Sequence, residues 1–376
     1  MIVLFWLCLG LIVYSYLGYP LLMVLWAWLR PNPIQQGEIC PTVSMIIAAY
    51  NEEKVIISKI ENTLVLSYPE DRLEIIIVTD GSTDRTAEIA QTFEPARVRV
   101  LHKPERQGKT AALNRAVPYA SGEILFFSDA NTFYAPDVIQ KMVRNFQDAS
   151  VGGVSGRKVI LQESARHTTP GETAFWWYEA ALKHSESQVS SIVTADGEIF
   201  AMRRALFNTI PADIVHDDMY LTLKMIEQGY RVVYEHEASS AEYPSKTSSD
   251  EFHLKVRYAS AGYQIFSIFK KMFIPPLTFF AYEFISHKLF RWLAPFFLAG
   301  IFFSSALIPQ VFYQSVFWIQ TFFYVMAILG WTFQKTCKSK IFYFPHYFCM
   351  GNAAALYGFF RYFVFGQSTL WRKAKR

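Results

Sequence analysis

The chain has 376 residues, of which 52% are hydrophobic and 17% aromatic, and a net charge of +4. Its length allows two or three compact units, and the hydrophobic share is high for a purely soluble protein. The charge is modest and no element gathers basic and aromatic residues, which argues against a nucleic-acid surface. Cys8, Cys40, Cys337 and Cys349 are scattered without a CxxC pair, which argues against a disulfide frame or zinc site.

In chain order, Met1 to Leu29 is free of charge until Arg30. A bilayer core takes about 20 apolar residues per helix, so this run predicts one span, an anchor over residues 1–30. It lacks a basic n-region and exceeds the roughly 7–15 residues of a signal h-region, which favours a retained anchor over a cleaved signal. Pro31-Asn-Pro33 opens a linker, and residues 41–264 have the composition of a soluble domain. Within it, Val43 to Ala49, Leu73 to Thr79, Arg97 to Leu101 and Glu123 to Ser128 read as strands. Glu52 to Leu66, Thr83 to Phe93 and Lys109 to Val117 have helical spacing between them. Strand and helix in alternation predict an α/β domain with a mostly parallel central sheet.

Residues 265–288 mix apolar positions with Lys270, Lys271 and a Pro275-Pro276 break, which reads as interfacial helices at the cytoplasmic leaflet. Residues 289–366 form a C-terminal membrane region in which Trp292 to Gln334 fits two spans broken at Pro309-Gln310. For Ile341 to Phe360 a full span, a re-entrant hairpin and an interfacial helix all fit, and residues 367–376 are a basic tail. Arg30, Lys335, Lys338 and Lys340 place positive charge on one side, so the domain between the anchors is expected in the cytoplasm of an integral protein of the inner or plasma membrane.

In a parallel sheet the ligand lies beyond the carboxyl ends of the strands. The first strand ends in Ala48-Ala-Tyr-Asn-Glu52, the second in Thr79-Asp-Gly-Ser-Thr-Asp84, the fourth in Ser128-Asp-Ala-Asn131. Asp80 is suited to accept hydrogen bonds from a base or ribose, while Ser82 or Thr83 is suited to cap the next helix. Asp129 and Asn131, two apart, offer hard oxygen ligands of the kind Mg²⁺ or Mn²⁺ takes beside phosphates; an ordinary turn explains the same residues. Asp217 and Asp218 open a helix that Gly229 ends, where capping alone would also account for them.

Ala49-Tyr-Asn-Glu52, Val78-Thr-Asp-Gly-Ser-Thr-Asp-Arg-Thr86, Gly108-Lys-Thr-Ala-Ala-Leu-Asn114, Phe127-Ser-Asp-Ala-Asn131 and His216-Asp-Asp218, in this order, resemble the family-2 glycosyltransferases. The likeness covers nearly all of residues 41 to 240, and the membrane flanks resemble those of integral-membrane members. It implies the GT-A fold and transfer with inversion by direct displacement. Carried over, Ala48, Tyr50 and Glu52 line the nucleotide pocket, Asp80 holds the uracil or ribose, Lys109 lies near the nucleotide or its diphosphate, and Asp129 carries Mg²⁺ or Mn²⁺ with Asn131. Asn131 stands where the family commonly has Asp, which leaves one ligand neutral.

The same resemblance makes Asp218 the catalytic base, with Asp217 in place of the family's Glu, and puts Asp196 and Gly197 on the acceptor side. A strand-to-strand turn accounts equally for that pair. Arg257 falls near the place of the Gln-x-x-Arg-Trp signature of polysaccharide synthases, but tyrosine follows it and no Gln stands three residues ahead. It reads as a diphosphate contact or as part of a solvated basic face. His216 is a further candidate for the metal, although imidazole is a less usual partner for Mg²⁺ than oxygen.

The expectation is an inverting membrane glycosyltransferase that moves one sugar from a nucleotide-sugar donor, with UDP-sugar foremost, to a lipid-linked or envelope polysaccharide acceptor. A processive polysaccharide synthase and a non-catalytic nucleotide-sugar-binding scaffold are the rivals. The expected partners are the donor, a lipid-linked or glycan acceptor and membrane lipids, with no nucleic acid.

Overall fold

The computed structural model describes residues 1–161, 170–243, 247–332 and 340–366. The described residues divide into two units, one of residues 26–243 and one of residues 1–25 with 247–366. The opening helix, α1 (Ile2–Leu29), is the uncharged run of the sequence.

In the first unit the apolar runs become β1 (Val43–Ala49), β2 (Leu73–Asp80), β3 (Val98–Lys103) and β4 (Ile124–Asp129), with α2 (Ile56–Leu64), α3 (Thr86–Gln91) and α4 (Lys109–Ala116) between them. Ile124, Leu125, Phe126 and Phe127 are all buried, as a strand covered by helices on both faces requires. The chain continues through β5 (Phe133–Tyr134), α5 (Val138–Val143), β6 (Val151–Ile160), α6 (Pro170–Val189), β7 (Phe200–Arg203), α7 (Asp217–Glu227) and β8 (Arg231–Glu242). The sheet has the order β3-β2-β1-β4-β7-β6-β8-β5. Its β1 to β4 part and the β6–β8 pair are parallel, whereas β7 runs antiparallel to β4 and β6, and β5 antiparallel to β8.

Register fixes what meets at the carboxyl edge. Asp129 on β4 lies opposite Ala48 on β1, and Thr79 on β2 lies opposite Ala49. Three strand ends and the loops that follow them therefore converge on one side of the sheet.

The second unit contains α8 (Ser248–Ile268), α9 (Phe279–Leu307), α10 (Val311–Thr332) and α11 (Lys340–Phe360). Thr247 caps α8 by accepting the Asp250 N–H at 3.1 Å. Small residues let α8 and α11 approach closely: a Cβ on Gly358 would stand 2.7 Å from that of Ala259. The break between α9 and α10 is closed by the Gln314 side-chain amide, which donates to the Ile308 carbonyl at 2.9 Å. Against these helices α1 packs Phe5, whose ring stands edge-on to Tyr313 at 4.8 Å.

Among the described residues α1, α9 and α10 are long and apolar enough to cross a membrane. Helix α9 begins at Phe279, so His287 and Lys288 lie inside a continuous helix, His287 fully buried. The basic tail of residues 367–376, with Lys335 and Lys338, lies outside the described residues, and Cys8, Cys40 and Cys349 are free thiols.

Candidate active site

The loops after β1 and β2 are stitched together by hydrogen bonds. Ser82 Oγ accepts the Asn51 N–H at 3.1 Å, Asn51 Oδ1 accepts the Thr83 N–H at 2.8 Å, and Thr86 Oγ1 accepts the Glu52 N–H at 2.7 Å. Just ahead of α3, Asp84 Oδ1 accepts the Thr86 N–H at 3.0 Å, whereas the side chains of Ser82 and Thr83 bond the neighbouring loop.

Asp80 turns into its own chain. Its Oδ2 accepts the N–H groups of Gln107 and Gly108 at 2.8 and 2.6 Å, and Arg115 approaches Oδ1 at 3.4 Å. The carboxylate is buried and holds the loop that leads into α4 over the strand ends. Gly81 permits that closure: its φ is 67°, and a Cβ there would lie 2.5 Å from the Arg106 backbone nitrogen. On the same loop the Arg106 guanidinium stacks 3.9 Å above the centroid of Tyr50.

Lys109, the first residue of α4, joins the parts. Its Nζ stands 2.7 Å from Asp129 Oδ1, 3.5 Å from the Gly197 carbonyl and 4.0 Å from Asp217 Oδ2. Burial alone would lower its pKa, but Asp129 and Asp217 reverse that and hold it firmly cationic. One ammonium thus ties β4, the 196–199 turn and α7 together.

Asp218 is anchored on both oxygens. Oδ2 accepts the Gly197 N–H at 3.0 Å, while Oδ1 accepts the Met219 N–H at 2.7 Å and pairs with the His216 ring. Burial pushes its carboxyl up, yet His216 foremost, then Lys109 and the Met219 N–H, bring it well below the usual carboxylate range. Asp217 goes the other way: burial raises it, and the Asp218 charge adds to that against the opposing pull of Lys109. Two adjacent carboxyls are pushed apart, the pattern that separates proton acceptor from proton holder in many active sites.

Asp196 and Gly197 belong to the same constellation, because the turn places the Gly197 N–H on Asp218 and its carbonyl near Lys109. The residues that fix this turn have no motif in the sequence. Lys183, on the inward face of α6, lies 2.7 Å from Asp196 Oδ1, and Lys158 on β6 lies 3.1 Å from Glu198 and also pairs with Glu242. Both lysines are almost wholly buried. The signal available was the spacing of Glu179, Lys183 and Glu186, four and three apart, one charged stripe that reads by itself as a solvated helix face.

Ala48 and Asn131 stand at the same edge on β1 and after β4, whereas Arg257 is on α8 in the other unit, its guanidinium 5.4 Å from the Tyr258 ring. Among the described residues no three His, Cys, Asp or Glu side chains gather as a metal site.

Residues 44–210 match the family model described as Glycosyl transferase family 2. A beta-monoglucosyldiacylglycerol synthase of Nostoc sp. is 30% identical over 245 residues, 62% of this chain and 52% of that protein. A poly-beta-1,6-N-acetyl-D-glucosamine synthase of Staphylococcus aureus is 26% identical over 228 residues, 59% of this chain and 55% of that protein. The chain thus spans about half the length of these curated relatives. In fold it resembles the mannosyltransferase PcManGT of Pyrobaculum calidifontis, solved with GDP-Man and Mn²⁺, with a TM-score of 0.73 at 22% identity over 97% of this chain and 100% of that one. The sheet order and the strand-end motifs agree with these comparisons: residues 44–210 are similar to glycosyltransferase family 2, and the chain has the GT-A fold.

Proposed function

We propose that the protein is an inverting membrane glycosyltransferase that moves a sugar from a nucleotide donor, foremost a UDP-sugar, to a lipid-linked or envelope-glycan acceptor. The observation that carries this reading is the Lys109 junction, which brings Asp129, Gly197 and Asp217 within 4.0 Å of one ammonium, with Asp218 next in the chain. A departing diphosphate needs fixed positive charge, and a poorly nucleophilic hydroxyl needs a base beside it. In this reading Lys109 faces the diphosphate, Asp218 takes the acceptor proton, and Tyr50 with Arg106 borders the base. Asp80 acts by holding the 104–108 loop in place. The catalytic unit is read as cytoplasmic from Arg30 and the charge after the third apolar run.

The donor set suits a divalent cation. Mg²⁺ usually takes one or two carboxylates and draws its other ligands from water and substrate phosphates, and Asp129 with Asn131 supplies one carboxylate and one amide oxygen. Asp129 already carries a cation in the form of the Lys109 ammonium at 2.7 Å. When bound, the metal ion would offset charge on the leaving diphosphate. Because Asn131 is neutral, Asn131→Asp is expected to lower the Mn²⁺ concentration for half-maximal activity about tenfold, in line with the dependence of affinity on ligand charge. An unchanged titration would remove Asn131 from the metal site.

The reading is tested with detergent-purified protein, a panel of nucleotide sugars, dioleoylglycerol and prenyl-phosphate acceptors, with and without Mn²⁺ or Mg²⁺. Release of one nucleoside diphosphate with a single sugar added is the expected result. A product ladder would instead favour a processive synthase, the activity named for the Staphylococcus aureus relative. No turnover with any donor by folded protein would favour a scaffold.

A further inference from the structure

Within the second unit, α8, α9, α10 and α11 enclose an open-sided cavity of about 440 Å³. Its walls include Phe252, Leu298, Ala327, Trp331, Phe348 and Leu356. That volume falls within the roughly 300–1,000 Å³ range of small-molecule sites and far exceeds the voids of ordinary packed interiors.

The polar side chains on its walls are mostly turned to their own helices. Asn352 donates to the Phe348 carbonyl at 2.9 Å, Tyr324 OH accepts from Gln320 at 2.5 Å, and the His346 ring bonds the Ala327 carbonyl. One buried nitrogen, His346 Nε2, is left without a partner. An ordered water needs two to four polar partners, and these walls offer few. Two of the enclosing helices, α9 and α10, are candidate membrane spans, so the filler that reaches an open side there is hydrocarbon.

The lining contains no Lys, Arg, Asp or Glu. The lysine one turn along α8 from Phe252 is engaged: Lys255 Nζ stands 3.2 Å from Glu251 and 4.9 Å from the centre of the Tyr347 ring. The walls thus suit the chain of an uncharged lipid better than the neighbourhood of a phosphate headgroup.

Resting on the lipid-acceptor reading above, we propose that this cavity holds an acyl chain of a neutral diacylglycerol acceptor. Helix α11, whose place in the membrane the sequence left open, supplies much of the wall and is therefore part of acceptor recognition. Ala353 is exposed on that wall, so Ala353→Trp places an indole at the cavity.

The experiment uses full-length protein in phosphatidylcholine nanodiscs with a diacylglycerol that carries a diazirine at the end of one acyl chain. Photolabelling is expected on peptides containing 295–298, 324–331 and 346–356. Unlabelled dioleoylglycerol should compete it away, and an equal mole fraction of added phosphatidylcholine or undecaprenyl phosphate should not. Ala353→Trp should cut labelling and raise the KM for dioleoylglycerol about tenfold, the change expected from losing a modest apolar contact set, while the KM for the nucleotide sugar stays unchanged.

Labelling elsewhere, labelling that phosphatidylcholine or undecaprenyl phosphate competes equally, or unchanged labelling in Ala353→Trp would overturn the proposal. Competed labelling at these peptides without sugar transfer to diacylglycerol would keep the site and sink the acceptor reading. Transfer without such labelling would do the reverse.

Discussion

Asp218→Asn is expected to lower kcat by about 10²–10⁴-fold, the usual contribution of a positioned base, and to leave the donor KM near its starting value. The substitution preserves shape, and its amide oxygen can still accept the Gly197 N–H that now reaches Oδ2 at 3.0 Å. What it removes is the charge that attracts the acceptor proton and the His216 ring. Stability separates this residue from its neighbour. The Asp218 pKa is depressed on folding, so its contribution is present above the unfolded value of about 4 and is lost as pH falls below it. The Asp217 pKa is raised, so its contribution is present below about pH 4 and is lost as pH rises through the folded value. At pH 7 Asp218→Asn should therefore lower Tm and Asp217→Asn should raise it, and both differences should shrink on acidification. Thermal unfolding of Asp217→Asn at pH 7 and pH 4, and of Asp218→Asn at pH 7 and well below pH 4, beside their kcat values, checks this. Shifts of the same sign, or full activity in Asp218→Asn, would take the base role away from Asp218.

Much of this site was legible in the sequence because strand ends announce themselves. An uninterrupted apolar run such as Ile124 to Phe127 reads as a buried strand, and the polar residues that follow it emerge at its carboxyl end. The motifs at 48–52, 79–84 and 128–131 thus declare their place at the sheet edge in the sequence itself. The partners that decide what those residues do were not legible. Asp80 is satisfied by the amides of Gln107 and Gly108, and a backbone N–H has no signature in sequence. Antiparallel β7 and two-residue β5 are too short for periodicity to register. The start of α9 was obscured because His287, Lys288 and Arg291 interrupt the apolar pattern, although His287 is buried.

The charged stripe of α6 gives no sign of its role in sequence, because a lysine on a helix normally faces water whereas Lys183 is 2% exposed and pairs with Asp196. Lys183→Met should cost about 3–5 kcal/mol, since removing one partner of a buried ion pair leaves the other charge uncompensated. Replacing both partners, as in Lys183→Met with Asp196→Leu, should recover most of that loss, because an apolar pair of similar volume replaces the ions at little net cost. Activity should not follow stability. Asp196 sits at the start of the turn whose next residue holds Asp218 through its N–H, and Ser155 accepts the Asp196 N–H at 2.9 Å, so the ion pair and that bond together orient the turn. A Cβ at Gly197 would already lie 2.9 Å from Asp218 Oδ2, so a small rotation of this turn displaces the carboxylate. The double variant is thus expected to unfold near the wild-type temperature yet turn over at least about tenfold more slowly, consistent with the sensitivity of catalysis to small misplacements. Urea unfolding and steady-state kinetics on the two single variants and the double variant give the coupling energy for each property separately. Coupling in stability without coupling in kcat would reduce the Lys183 pair to a structural element; coupling in both would make the inward face of α6 part of the apparatus that aims Asp218.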